Sequence, residues 1–149
     1  MSSSHLFPLG AGGDAPLAPI PAYTLFDADA VVLATFLGGP LAGSILIAVN
    51  YRRLGMGRNG APILAVGLFV TALALGFGSL MPAAASAVVG FGLLLVARSV
   101  AKALQGTAVE EHVRNGGYLG SKWAAAGLGI VLLAIMVGGY WLATSGPRA

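Results

Sequence analysis

The feature that most constrains this chain is a series of long runs without a formal charge. Residues 30–49 form one such run of 20 residues, closed by Asn50-Tyr51-Arg52-Arg53. About 20 apolar residues at a helical rise of 1.5 Å match a hydrocarbon core of about 30 Å. Residues 61–80, 83–97 and 123–143 repeat the pattern. Only 9% of the residues are charged, against roughly 25% in soluble domains. A soluble fold could not cover itself with so few charges. The expectation is an all-α, polytopic membrane protein with four transmembrane helices in one domain.

The segments between the runs have readable boundaries. Residues 1–29 contain Pro8, Pro16, Pro19 and Pro21 and no Lys or Arg, which predicts an irregular extracytoplasmic tail and not a signal peptide. Tyr23 and Phe26 lie where aromatic residues favour the membrane boundary. Pro62 falls in the first turn of the second span, where a missing N–H is harmless. Met81-Pro82-Ala83-Ala84 is too short to hold a domain, so spans two and three are expected to form an antiparallel hairpin. The third run stops at Arg98, which can snorkel to the headgroups. Residues 99–122 turn polar and contain Glu110 and Arg114 at i,i+4, which predicts a short cytoplasmic surface helix stopped at Gly116-Gly117. Ser121 suits the N-cap of the fourth span, and Trp123, Tyr140 and Trp141 mark its two interfaces. Residues 145–149 form a closing tail.

With four single crossings, Arg52, Arg53, Arg58, Arg98, Lys102, Arg114 and Lys122 share one side, and Arg148 stands alone on the other. The positive-inside bias makes the first side cytoplasmic and places both termini outside. The net charge of +3 is therefore a topology signal, with Arg52, Arg53, Arg58, Arg98 and Lys122 facing lipid headgroups. It does not indicate a nucleic-acid partner.

Much chemistry is excluded. The chain has no cysteine, so it has no disulfide, thiolate metal site or thiol nucleophile. Apart from Arg98 at a boundary, the four spans contain no Asp, Glu, His, Lys or Arg, the groups from which intramembrane proton relays are built. Small four-helix multidrug exporters match this chain in size but carry a membrane-embedded glutamate in their first helix, and nothing here corresponds to it. Glu110-Glu111-His112 is the only titratable cluster, and it reads as solvated surface with too few ligands for a metal. Residues 116–122 have Lys and Ser in the wrong order for a phosphate loop, and no strand precedes them. A lipid phosphate held by Ser121, Lys122 and the start of the fourth helix is the weaker form of that idea. No catalytic residue, cofactor or metal is expected, and the chain reads as a protein without catalysis of its own.

One stretch inside the membrane is unusual. In Ala34-Thr35-Phe36-Leu37-Gly38-Gly39-Pro40-Leu41-Ala42-Gly43, the residues Thr35, Gly39 and Gly43 lie four apart, as do Ala34, Gly38 and Ala42. On a continuous helix these make two strips where a neighbouring backbone can approach closely. Pro40 removes the i+4 donor to the carbonyl of Phe36 and predicts a kink or unwinding near mid-membrane. The stretch is therefore either a packing device or, like the broken helices of transporters, part of a path for an ion or solute. Small residues recur four apart at Gly67 and Thr71, Ala72 and Gly76, Ser86 and Gly90, Ala125 and Gly129, and Ala134 and Gly138.

This stretch, with Asn50-Tyr51-Arg52-Arg53-Leu54-Gly55 after it, resembles a pattern in small bacterial four-helix inner-membrane proteins. His112, Gly116-Gly117 and Ser121-Lys122-Trp123 are further points of likeness. The resemblance implies a multi-pass protein of the bacterial inner membrane and brings no activity with it. The functional expectation is a packing or accessory subunit that meets membrane lipids and either copies of itself or other membrane subunits. The alternative is an oligomeric channel or facilitator using the Gly38-Gly39-Pro40 break.

Overall fold

The computed structural model describes residues 20–78 and 80–145. Residues 1–19 of the tail expected over residues 1–29, and residues 146–149 of the closing tail with Arg148, lie outside the described residues. The elements in order are strand β1 (Thr24–Leu25), helix α1 (Ala28–Arg53), a 3-10 turn (Gly57–Asn59), helix α2 (Gly60–Gly78), helix α3 (Ala83–Arg114), strand β2 (Tyr118–Leu119) and helix α4 (Lys122–Ser145). All four helical stretches are long and apolar enough to cross a membrane by length and composition. The chain is thus an all-helical protein of the multi-pass membrane class.

The first stretch does not run straight. Its 26 residues would extend about 39 Å as one helix. Yet Phe26, just before its start, donates its backbone N–H to Asn50 Oδ1 near its end at 2.9 Å, and Arg53 Nη1 donates to the Thr24 carbonyl at 2.7 Å. Gly39, at φ 73° and ψ −177°, breaks the helix. α1 is therefore a helical hairpin with one arm over residues 28–38, a second over 40–53, and a tip at Gly39. Each arm has its own ends. Asp27 caps the first, accepting from Ala30 N–H at 2.8 Å. The second closes at Gly55 (φ 76°), with Met56 N–H donating to the Tyr51 carbonyl and Gly55 N–H to that of Arg52, the paired bonds of a glycine C-cap.

The hairpin corrects the expected topology. Both ends of α1 lie together, so the segment before it is on the same side as the arginine-rich connection after it. The two-stranded sheet agrees: β1, leading into α1, pairs in parallel with β2, leading into α4, with Thr24 opposite Tyr118. β1 therefore lies beside the connection after α1 and not a helix length away from it, as a straight first span would place it. Within the fold α1 is folded back on itself, whereas α2, α3 and α4 are single long helices. The hairpin arms are about 16 and 21 Å long at the helical rise, and the shorter reaches only about half of a 30 Å hydrocarbon layer.

Two further expectations change. The polar stretch after Arg98 is not a separate surface helix, because α3 runs unbroken from Ala83 to Arg114. Its charged residues continue the same rod, and Gly116 (φ 82°) stops it where the sequence places a stop. Gly117 N–H to the His112 carbonyl and Gly116 N–H to that of Val113 complete a second glycine cap. α2 and α3 follow one another closely in the chain, but each packs on α1 and hardly on the other. They splay around an apolar cavity of about 130 Å³ between Ile63, Val66 and Val70 of α2 and Leu93, Val96 and Val100 of α3.

The core is the hairpin itself. Ala30, Val31, Ala34, Ala42, Leu46 and Ile47 are buried, whereas most large apolar side chains of α2, α3 and α4 face outward. In water such a distribution would be unstable. In lipid it is expected, because close packing and hydrogen bonds hold membrane helices together where no hydrophobic drive exists.

Candidate functional site

The residues singled out in the first span meet at the hairpin tip, though not as strips on one helix. Thr35 and Gly43 lie on opposite arms. Thr35 Oγ1 donates to the Val31 carbonyl at 2.8 Å and lies so close to Gly43 that a Cβ there would collide with it. Gly38 faces α4, where a Cβ would stand 2.7 Å from the Gly129 carbonyl oxygen and 2.8 Å from its Cα. Gly67 of α2 lies against Ser44 of the second arm in the same way. The small residues thus let the two arms, α2 and α4 approach one another around a single point.

The break belongs to Gly39, and Pro40 has the opposite role to the one expected. Gly39 occupies an extended, positive-φ conformation that is essentially glycine's alone. Pro40 then begins the second arm, where its fixed φ fits and its missing N–H removes a donor that would have no helical partner. The next donor, Leu41 N–H, is taken by Thr71 Oγ1 of α2 at 2.9 Å, and Ser44 Oγ donates back to the Leu41 carbonyl at 2.7 Å. Backbone polar groups at membrane depth need partners within the protein, and Thr71 is one. The first-arm end and second-arm start bring opposite ends of two helix dipoles together at this tip.

A polar clamp closes the mouth of the hairpin. Asn50 is fully buried; besides accepting from Phe26 N–H, it donates to the Phe26 carbonyl and to Gln105 Oε1, both at 2.8 Å. Gln105 of α3 donates to the Ile47 carbonyl at 2.8 Å. Four bonds tie the strand before the hairpin, its second arm and α3 together. Arg53 adds an outer layer: its guanidinium reaches the carbonyl and hydroxyl of Thr24 and lies 5.4 Å above the Phe26 ring.

The other basic residues divide by setting. Arg98 pairs with Asp29 at 3.1 Å, both about half exposed, so it is tied to the hairpin and does not simply rise to the headgroups. Arg52, Arg58 and Lys122 are exposed. Ser121 ends the loop into α4 and accepts Trp123 N–H on its hydroxyl at 3.2 Å, as expected of an N-cap, which engages the group suggested for a lipid phosphate. His112 departs from expectation. It is 4% exposed, stacked with Tyr23 at 4.9 Å between ring centroids, with Nε2 3.2 Å from the Tyr118 carbonyl. Gly117 lies directly against its ring. His112 thus fastens the end of α3 beneath the β1–β2 ribbon. Among the described residues no three His, Asp or Glu side chains gather as a metal site.

In the sequence alone, Asn50 and Gln105 carry no structural role, Thr71 counts only as a small packing residue, and His112 reads as solvated surface. Each is a lone polar group in or beside an apolar helix. That signal is real, but its meaning depends on a fold-back that helical periodicity does not reveal. No family model, curated protein or solved structure matches the chain.

Proposed function

We propose that this protein is a non-catalytic membrane subunit that assembles with copies of itself or with other membrane proteins through the outer faces of α3 and α4. One observation carries the reading. Gly38, Gly43, Gly67 and Gly129 are consumed by contacts within the chain, whereas Gly92 of α3 and Gly127, Gly138 and Gly139 of α4 have no atom within 4 Å of the place a Cβ would occupy. Small residues on a lipid-facing surface allow another helix to approach closely, and among the described residues no helix does so. The positive-inside bias favours an orientation with the hairpin mouth and the basic connections inside and the end of α4 outside, and the likeness to small bacterial inner-membrane proteins favours the bacterial cytoplasmic membrane. Lipids are its immediate surroundings.

The test is the assembly state in lipid nanodiscs and by cross-linking in membranes. Wild type is expected as an oligomer or with a co-purifying membrane partner, and Gly92→Leu or Gly138→Leu is expected to shift it to monomer without lowering its thermal midpoint. Wild-type protein found only as monomer, with nothing travelling with it, would overturn the reading.

The hairpin supports a second reading, a channel or facilitator formed on oligomerisation, because broken helices that meet at mid-membrane line solute paths in transporters. Flux in proteoliposomes that is lost in Gly39→Ala and kept in Pro40→Ala would favour it. Absence of flux from reconstituted oligomer would exclude it.

A further inference from the structure

We propose that the groove between the first arm of α1 and α3 is a binding site for one zwitterionic aminophospholipid, drawn from the leaflet on the side of the basic connections. The inference is independent of the assembly state.

The groove has two ends of different chemistry. Its mouth is a polar cavity of about 270 Å³ whose lining includes Asp27, Asp29, Arg98, Lys102 and Glu110. Its depth is an apolar cavity of about 460 Å³ lined by Phe36, Ala87, Phe91 and Leu94 and closed by Gly39 and Pro40 at the hairpin tip. Along α3 the residues Ala87, Phe91, Leu94, Arg98 and Lys102 follow at intervals of four and three, so both cavities open on one face of that helix. On α1, Asp29 and Phe36 lie two turns apart on the matching face. The two cavities have no lining residue in common; they lie in series between the same two elements, the charged one at the mouth and the apolar one toward the hairpin tip.

Its length and charges select the occupant. From Asp29 to Gly39 the first arm rises about 15 Å, the thickness of one leaflet of a 30 Å hydrocarbon layer. An acyl chain whose headgroup sits at the mouth would end at the tip. Arg98 is already paired with Asp29. Among the described residues, Lys102 carries no ion pair, and neither does Glu110 two turns further along the same helix. A phosphate fits Lys102 and an ammonium fits Glu110 and Asp27. A headgroup with net negative charge would bring that charge against Asp27, Asp29 and Glu110 together, so the mixed mouth favours the zwitterion.

Native mass spectrometry of the full-length protein in detergent tests this, with phosphatidylethanolamine, phosphatidylglycerol, diacylglycerol and soluble glycerophosphoethanolamine as separate probes. One phosphatidylethanolamine is expected to be retained in preference to the other three. Lys102→Ala is expected to weaken its retention about fivefold, the effect of one basic residue beside a phosphate. Ala87→Trp, at an exposed position on the groove floor, is expected to abolish retention with the thermal midpoint unchanged. Glu110→Lys, on an exposed surface where folding is not at stake, is expected to reverse the preference toward phosphatidylglycerol. Equal retention of phosphatidylglycerol by wild type, or no change of preference in Glu110→Lys, overturns the headgroup assignment. Retention undiminished in a folded Ala87→Trp overturns the groove, and tight binding of glycerophosphoethanolamine alone would make the ligand a soluble phosphodiester and not a lipid.

Discussion

Replacing Asn50 by leucine removes the clamp across the mouth of the hairpin while keeping nearly the same volume. Three hydrogen bonds disappear: one accepted from Phe26 N–H and two donated, to the Phe26 carbonyl and Gln105 Oε1. Asn50 is 0% exposed, so water cannot replace it without opening the site. An orphaned buried polar group costs about 1–3 kcal/mol, with carbonyls at the lower end, which gives a total of about 3–5 kcal/mol. The assay is reversible unfolding in mixed micelles, followed by tryptophan fluorescence. A double-mutant cycle sharpens it, because Gln105→Leu removes the partner that Asn50→Leu leaves stranded. The double variant should therefore lose about 1–2 kcal/mol less than the sum of the singles. A loss within about 0.5 kcal/mol of zero for Asn50→Leu, the range of an ordinary surface change, would refute the clamp.

The hairpin tip makes contrasting demands on two adjacent residues. Gly39→Ala should cost about 1–3 kcal/mol through its backbone conformation alone, whereas Pro40→Ala at a helix start should cost less than about 1 kcal/mol in the same unfolding assay. Thr71→Val should cost about 1–3 kcal/mol by leaving Leu41 N–H without its acceptor, and Thr71→Ser should restore most of it. Asp29→Ala should change stability by less than about 1 kcal/mol, since its bridge to Arg98 is half exposed and screened.

The membrane class and the helical stretches were legible because apolar runs and glycine stops act locally. Gly116 ends α3 through its own backbone freedom, whatever surrounds it. The fold-back of α1 was not legible in the same way. An uncharged run of 20 residues satisfies the length of a span equally well whether straight or bent. Pro40 drew attention as the helix breaker, yet a proline after a glycine also reads as the start of a second helix. What decides between these readings is distant in sequence: Asn50 meeting Phe26, Arg53 meeting Thr24, and β1 meeting β2. Some of the small residues approach other elements closely and others, such as Gly90 and Gly138, do not, and which ones do follows from the hairpin. Thr35 and Gly43 face each other across it, and Gly38 meets Gly129 on α4.

The central claim is that the first apolar stretch enters and leaves the membrane on one side. It is tested by the distance between spin labels on Thr24→Cys and Arg53→Cys in nanodiscs, measured by pulsed electron paramagnetic resonance. The chain has no native cysteine, so no background label intrudes. A straight span puts about 44 Å of helix between the two backbones. The hairpin holds them within reach of a single arginine side chain, so the account expects a short distance and labelling of both sites from the same face of the membrane. A distance near 44 Å, with the two sites labelled from opposite faces, would contradict it.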